Sequence, residues 1–296
     1  AGTGTSKALK NNSTGNTVNL AGGMVRNIYG GFTSSTGGSA TGNKVNISGG
    51  SIAPAAGIGG TVYGGFVSHA GAGDATGNTV TITGGSMKDV YAGFTNGTGA
   101  TTGNIVNLGD GTNAMASGTS ITGTLAGGNQ ATATDNTLNV KGKNITVRGV
   151  ENFGKANFDL ANKAVGDTLL KITGGATNKI DWAGVEVVLL PTYSFTPKSY
   201  EKRLFTLMDN EDGISFMKGT TDTYATIGAK ERTFGNYEFV IDTDNHTGHA
   251  TRYVYADGFQ FKDNTAATYT SAEGTHDAAW AGRTATGNKV EGNKLT

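Results

Sequence analysis

One feature constrains this chain more than any other: an Asn followed at two and four places by apolar residues, five times over. Asn16, Asn43, Asn78 and Asn104 each follow Gly, and Asn136 follows Asp135. Two residues on stand Val18, Val45, Val80, Val106 and Leu138; four on stand Leu20, Ile47, Ile82, Leu108 and Val140. Alternation of this kind predicts five equivalent β-strands, each burying one face.

A second element accompanies the first. "NIYGGF" (Asn27–Phe32), "TVYGGF" (Thr61–Phe66) and "DVYAGF" (Asp89–Phe94) are near copies, and "TLAGGN" (Thr124–Asn129) is a fourth without aromatics. The Asn-to-Asn steps are 27, 35, 26 and 32 residues. Periods of this size belong to solenoids and propellers; two short strands joined by Gly-rich turns fit a parallel β-helix coil, and a propeller blade needs more residues. Five coils at the strand spacing of ~4.8 Å would cover roughly 24 Å of axis. Residues 1–150 hold 34 of the 49 glycines, a content that ordinarily signals disorder, but the periodicity overrules it.

Stacking gives each fixed letter a physical role. Val18, Val45, Val80 and Val106, with Ile47 and Ile82, are expected to fill the interior, while the Asn column shares side-chain amide hydrogen bonds from coil to coil. Glycines serve the corners. Along "VYGGF", strict alternation puts Val62, Gly64 and Phe66 on one face and Tyr63 and Gly65 on the other. The expectation is a Val–Phe face turned inward and a partly exposed column of Tyr29, Tyr63 and Tyr91. Those tyrosines are candidate ligand contacts, the alternative being rings that pack under turns of adjacent coils. Seven extra residues between Asn43 and Tyr63 predict a loop around Ile52–Gly60, and a further insert falls near Gly111–Ser120.

These motifs resemble the Gly-rich repeats in passenger domains of Gram-negative autotransporters, the type V secretion adhesins. "GKNITVRGVENFGKANFDLANKAVGDTLLKITGGA" (Gly142–Ala176) looks like the element that follows such arrays. The resemblance spans about residues 11–190. It implies a right-handed parallel β-helix, an extracellular or cell-surface location, and anchoring of the full protein through a C-terminal membrane barrel. This chain shows no serial amphipathic strands with aromatic girdles and is therefore read as a passenger fragment that is not itself membrane-inserted.

The fold expected is thus all-β: a right-handed parallel β-helix (solenoid) with a β-rich C-terminal extension or cap. Residues 1–150 form the coils, 151–262 a β-rich continuation or cap, and 263–296 a polar segment. In that last segment Asn288 and Val290 repeat the opening frame and read as the start of a further array. In the second part "RLFTLMD", "YEFVIDT" and "TRYVYAD" alternate as strands, and "DNHTG" (Asp244–Gly248) reads as a hairpin turn between the last two. Antiparallel strands here would close the open end of a solenoid.

Chemistry is sparse. With 23 basic and 23 acidic side chains the chain is neutral, which removes the electrostatic case for nucleic acid or an anionic membrane. Absence of cysteine suits a chain that crosses a compartment unfolded. Asp74, Asp89, Asp110 and Asp135 fall at different phases of the coil and read as solvated turn residues. "DNEDG" (Asp209–Gly213) reads as an acidic turn rather than a calcium loop, and "GAGDATGN" (Gly71–Asn78) lacks the tandem copies a calcium nonapeptide needs. Of the four histidines, His69, His246, His249 and His276, only His246 and His249 are close in sequence, three apart in a predicted turn, and no third metal ligand is evident. Nucleophile-elbow, phosphate-loop and dinucleotide fingerprints are missing. No catalytic, metal or cofactor residue is assigned. The expected role is a non-enzymatic adhesin or stalk that binds an unidentified protein or glycan of a host or bacterial surface. The alternatives are a carbohydrate-active β-helix enzyme (lyase or hydrolase) and a purely structural surface spacer.

Overall fold

The structure is a computed structural model describing residues 11–53, 60–111, 115–116, 118–130, 135–164, 166–174, 180–181, 185–190, 200–215, 232–234, 237–243 and 251–260. The described residues are all-β, without a helix, and most strand pairs are parallel. They fall into two compact units. The first comprises 1–110, 114–139 and 146–156; the second comprises 111–113, 140–145 and 157–296.

In the first unit the Asn-frame strands pair in register. Thr17–Leu20, Lys44–Ile52, Thr79–Met87 and Ile105–Leu108 lie parallel, with Val18 opposite Val45, Val45 opposite Val80 and Val80 opposite Val106. The strand Thr137–Val140 joins through the Thr137 N–H, which donates to Asn104 O at 2.8 Å. Val45, Val80, Val106, Ile47 and Ile82 are buried as expected, each contributing on the order of 2 kcal/mol of transfer free energy. Val18 is only half-buried and Asn16 is exposed, so the first rung departs from the equivalence read from the sequence. Both pair with a neighbour on one side only among the described residues.

The aromatic strands form a second parallel stack: Ile28–Thr33, Thr61–Val67, Asp89–Thr95, Ser120–Ala126 and Ile145–Glu151. Tyr29, Tyr63 and Tyr91 are opposite one another, as are Phe32, Phe66 and Phe94. A third, two-residue column was not expected. Ser13–Thr14, Ala40–Thr41 and Ala75–Thr76 pair in parallel just ahead of each Asn, and Ala40, Ala75 and Val67 form a small buried cluster beneath it. The inserts expected around Ile52–Gly60 and Gly111–Ser120 lie partly outside the described residues.

The second unit mixes directions. Thr168–Ile172 and Ile180–Asp181 run parallel to Tyr200–Ser215, whereas Thr251–Gln260 pairs antiparallel with Tyr200–Ser215 and with Tyr237–Thr243. Arg232–Phe234 adds a further antiparallel partner. Leu169, Leu170, Val187, Leu189, Phe205, Leu207 and Met208 are its buried core. Asp209–Gly213 is no turn: it lies inside the strand Tyr200–Ser215, whose register against Thr251–Gln260 shifts between Asp209 and Ile214. A partner strand absorbs the acidic stretch as an irregularity, where composition alone pointed to a loop. The Asp244–Gly248 turn, His246, His249, His276 and the restart at Asn288 and Val290 lie outside the described residues.

Candidate functional site: an aromatic face built over an asparagine ladder

The Asn column is a fully used amide chain. The Asn78 Oδ1 accepts from the Asn43 N–H and the Asn43 Nδ2, both at 3.0 Å. Its Nδ2 donates to the Asn104 Oδ1 at 3.1 Å and to the Ala40 O at 3.0 Å. Two donors and two lone pairs are thereby satisfied, which a buried primary amide requires. Asn16 donates to Asn43 in the same sense at 2.9 Å, and the Asn104 N–H donates to the Asn136 Oδ1 at 2.9 Å. Asn136 ends the series by donating to the Thr101 O and the Asn152 O at 2.9 and 3.0 Å. Asn43, Asn78, Asn104 and Asn136 are all buried.

The Gly that precedes each Phe of the second motif is required by this ladder. A Cβ on Gly65 would stand 2.5 Å from the Asn78 Nδ2 and 2.8 Å from the Ala40 O. Gly31 meets Asn43, Gly93 meets Asn104 and Gly127 meets Asn136 in the same way. Gly64 faces inward as well, against the backbone of Ala92 and the Val80 side chain. Two successive inward residues shift the alternation by one place. Val62 then points in, while Tyr63 and Phe66 both point out.

The expected inward Val–Phe face is therefore corrected: Phe32, Phe66 and Phe94 join Tyr29, Tyr63 and Tyr91 on the outer surface. Phe32 is 50% exposed and Tyr29 38%. Tyr29 and Tyr63 stack with centroids 5.2 Å apart and planes 9° from parallel; Tyr63 and Tyr91 stack at 6.0 Å and 14°. Phe32–Phe66 and Phe66–Phe94 repeat this at 5.7 and 5.4 Å. Within coils Tyr and Phe meet edge to face at 5.7 Å for Tyr29–Phe32 and 5.0 Å for Tyr91–Phe94, and tilted at 4.7 Å for Tyr63–Phe66. Such contacts are worth about 0.5–1.5 kcal/mol per pair beyond burial. The three tyrosines stand in one column, and their rings stack on one another. The phenylalanines carried a sequence signal that strict alternation concealed: two small residues, GG or AG, between two aromatics.

The column ends abruptly. Ala126 stands opposite Tyr91, and Glu151 stands opposite Ala126. Where Phe would recur, Asn129 accepts from the Thr95 N–H at 3.0 Å and donates to the Thr95 O at 2.8 Å. The Tyr91 hydroxyl has a raised pKa, first through desolvation and then through the charges of Asp89 and Glu151. That of Tyr63 is raised by desolvation, held back by a hydrogen bond to Thr61.

The carboxylates expected to be solvated turn residues are in part engaged. Asp74 Oδ1 accepts from the Ala100 N–H at 2.8 Å, and Asp89 Oδ1 from the Thr124 N–H at 2.9 Å, each tying its coil to the next. His69 Nδ1 accepts from the Gly71 N–H within its own turn. Among the described residues no three His, Asp or Glu side chains gather as a metal site. A second, outer ladder escaped the sequence reading: Asn46 donates to Asn19 at 2.8 Å, Asn107 to Thr81 at 3.1 Å and Asn139 to Asn107 at 2.9 Å. Its signal was plain, an amide or hydroxyl three places after each ladder Asn. Comparison with protein-family models, curated proteins and solved structures finds no match.

Proposed function

We propose that this chain is a surface-exposed passenger fragment of a Gram-negative autotransporter, folded as a right-handed parallel β-helix with a β-rich cap. In this reading it acts as a non-enzymatic adhesin or stalk, outside the cell, with the full protein held by a C-terminal barrel. The observation that carries the reading is the aromatic face. Six large rings lie on an outer surface where polar side chains would be soluble and sufficient, while the repeat's Asn, Val and Ile are occupied by stacking. The engagement of Asp74 and Asp89 by backbone N–H groups supports taking them as stacking residues rather than as the acid pair of a lyase or hydrolase. A spacer is the second reading, favoured by the ring-to-ring packing, which stabilises the stack without any ligand.

Binding of the purified chain to arrays of immobilised glycans and to matrix proteins distinguishes the two. An adhesin binds at least one surface and loses that binding in Phe32→Ser and Tyr29→Ser variants that keep the wild-type circular dichroism. Blank arrays for the wild-type chain would leave the spacer. Antibody labelling of intact cells that express the whole gene tests the location: protection of the epitope until the outer membrane is opened would exclude surface display.

A further inference from the structure

Along the leading edge of the aromatic face runs a column that the sequence does not reveal until the registers are known. Val25, Ile52, Met87, Ile121 and Val147 are aligned from coil to coil and turn inward. The residues that follow them therefore also form a column: Arg26, Ala53, Lys88, Thr122 and Arg148. Every second rung carries a cation, and all three cations are exposed. Two rungs correspond to about 9.6 Å. Arg26 and Arg148 make no ion pair among the described residues, while Lys88 faces its neighbour Asp89 at 3.5 Å with 57% of its side chain exposed. Arg26 and Lys88 occupy the bends that lead into the aromatic strands, three residues ahead of Tyr29 and Tyr91.

We propose that this face is a track for an extended anionic polysaccharide that carries one carboxylate per disaccharide and lies along the stack. The inference deepens the adhesin reading and rests on it. Aromatic rings offer the CH faces of pyranoses an apolar surface, and guanidinium groups bind carboxylates through two parallel hydrogen bonds. In an alternating β-linked chain the carboxylates recur at the length of two sugar rings, close to the two-rung spacing of the cations. A neutral glycan leaves the edge cations unused, and a cationic peptide is repelled by them. Two carboxylates also border this face, Asp89 between Lys88 and Tyr91 and Glu151 on the rung of Arg148, and each opposes an anionic chain where it passes.

Titration calorimetry of the purified chain with hyaluronan oligosaccharides of six to ten sugars, beside chitin oligosaccharides of equal length, tests the track. Hyaluronan is expected to bind, to weaken as salt rises, and to exceed the neutral chain. The double variant Arg26→Gln/Arg148→Gln should weaken it on the order of tenfold. Glu151→Gln should tighten it a few-fold, a gain that misfolding cannot produce. Equal binding of chitin oligosaccharides, or of single-stranded DNA with the same charge, would overturn the proposal, as would affinities unmoved by the arginine and Glu151 changes. If hyaluronan fails while array ligands still bind through Phe32 and Tyr29, this inference falls and the adhesin reading stands. If nothing binds, both fall.

Discussion

Replacing Asn78 by Asp exchanges a single heavy atom, the amide nitrogen, for oxygen and tests the amide ladder directly. The new carboxyl keeps the oxygen that accepts from Asn43 N–H and Nδ2 at 3.0 Å. It puts a second oxygen where Nδ2 stood, facing the Asn104 Oδ1 at 3.1 Å and the Ala40 O at 3.0 Å. Protonated, the group can donate to one of those oxygens, so the loss at low pH is about 2 kcal/mol for the acceptor left unpaired. Ionised, it opposes both from a site with no solvent exposure. The folded state thus holds the proton more tightly than the unfolded chain, whose carboxyl titrates near 3.9. Stability of the variant must fall as pH rises above that value, by about 1.4 kcal/mol per pH unit until the folded group ionises, which reaches about 4 kcal/mol by pH 7. Denaturant unfolding of variant and wild type at several pH values between about 4 and 7 measures the difference. A loss independent of pH would show that no buried carboxyl is titrating and that the ladder amide is not the group disturbed. An equal loss for Asp at Asn16 would equally count against the buried ladder, since the side chain there is exposed and the expected change is about 1 kcal/mol or less.

Three further outcomes follow from the same geometry. Gly65→Ala should cost several times more than Gly77→Ala in thermal unfolding. The first places a methyl group 2.5 Å from the Asn78 amide, while the second meets nothing closer than 3.9 Å and carries only the cost of its φ of +65°, about 1 kcal/mol. Alkaline spectrophotometric titration should show tyrosines ionising above the ordinary range, a component that shrinks in Tyr63→Phe and Tyr91→Phe variants. Because the folded pKa values are raised, stability should decline as pH climbs past the unfolded tyrosine value of about 10. Asn46→Ala, in the outer ladder, should lower stability by roughly 0.5–1 kcal/mol, far less than changes at buried Asn78, since water replaces its partner.

Much of the first unit was legible because a half-buried strand writes itself in steps of two. Val45, Val80, Ile47 and Ile82 announced the core, and a recurrent Asn in their phase announced the ladder. Phe66 was misassigned for a physical reason. Alternation presumes that each residue faces opposite to the last, and the ladder's side chains make Gly64 and Gly65 both face inward. The third column escaped because a two-residue strand such as Ala75–Thr76 has no period of its own. At Asp209–Gly213 tertiary pairing overrode composition, and no local pattern foretells which distant strand will claim an acidic stretch. The basic edge was illegible in principle: Arg26, Lys88 and Arg148 share a column only after coils of unequal length are brought into register.

Near-identity of the coils has a cost in fidelity. Val45 would meet Val106 about as well as Val80, and Asn43 could pass its hydrogen bonds to Asn104, so a stack that skips a coil would satisfy the same ladders. What distinguishes the true neighbour is imperfection. Ala126 below Tyr91 and Asn129 below Phe94 make the fourth coil unlike the three before it, with the Asn129 amide held on the backbone N–H and O of Thr95. The degenerate copy serves as an index mark in an otherwise ambiguous ruler. Restoring its aromatics would lengthen the column of rings and remove the landmark by which the chain counts its own turns.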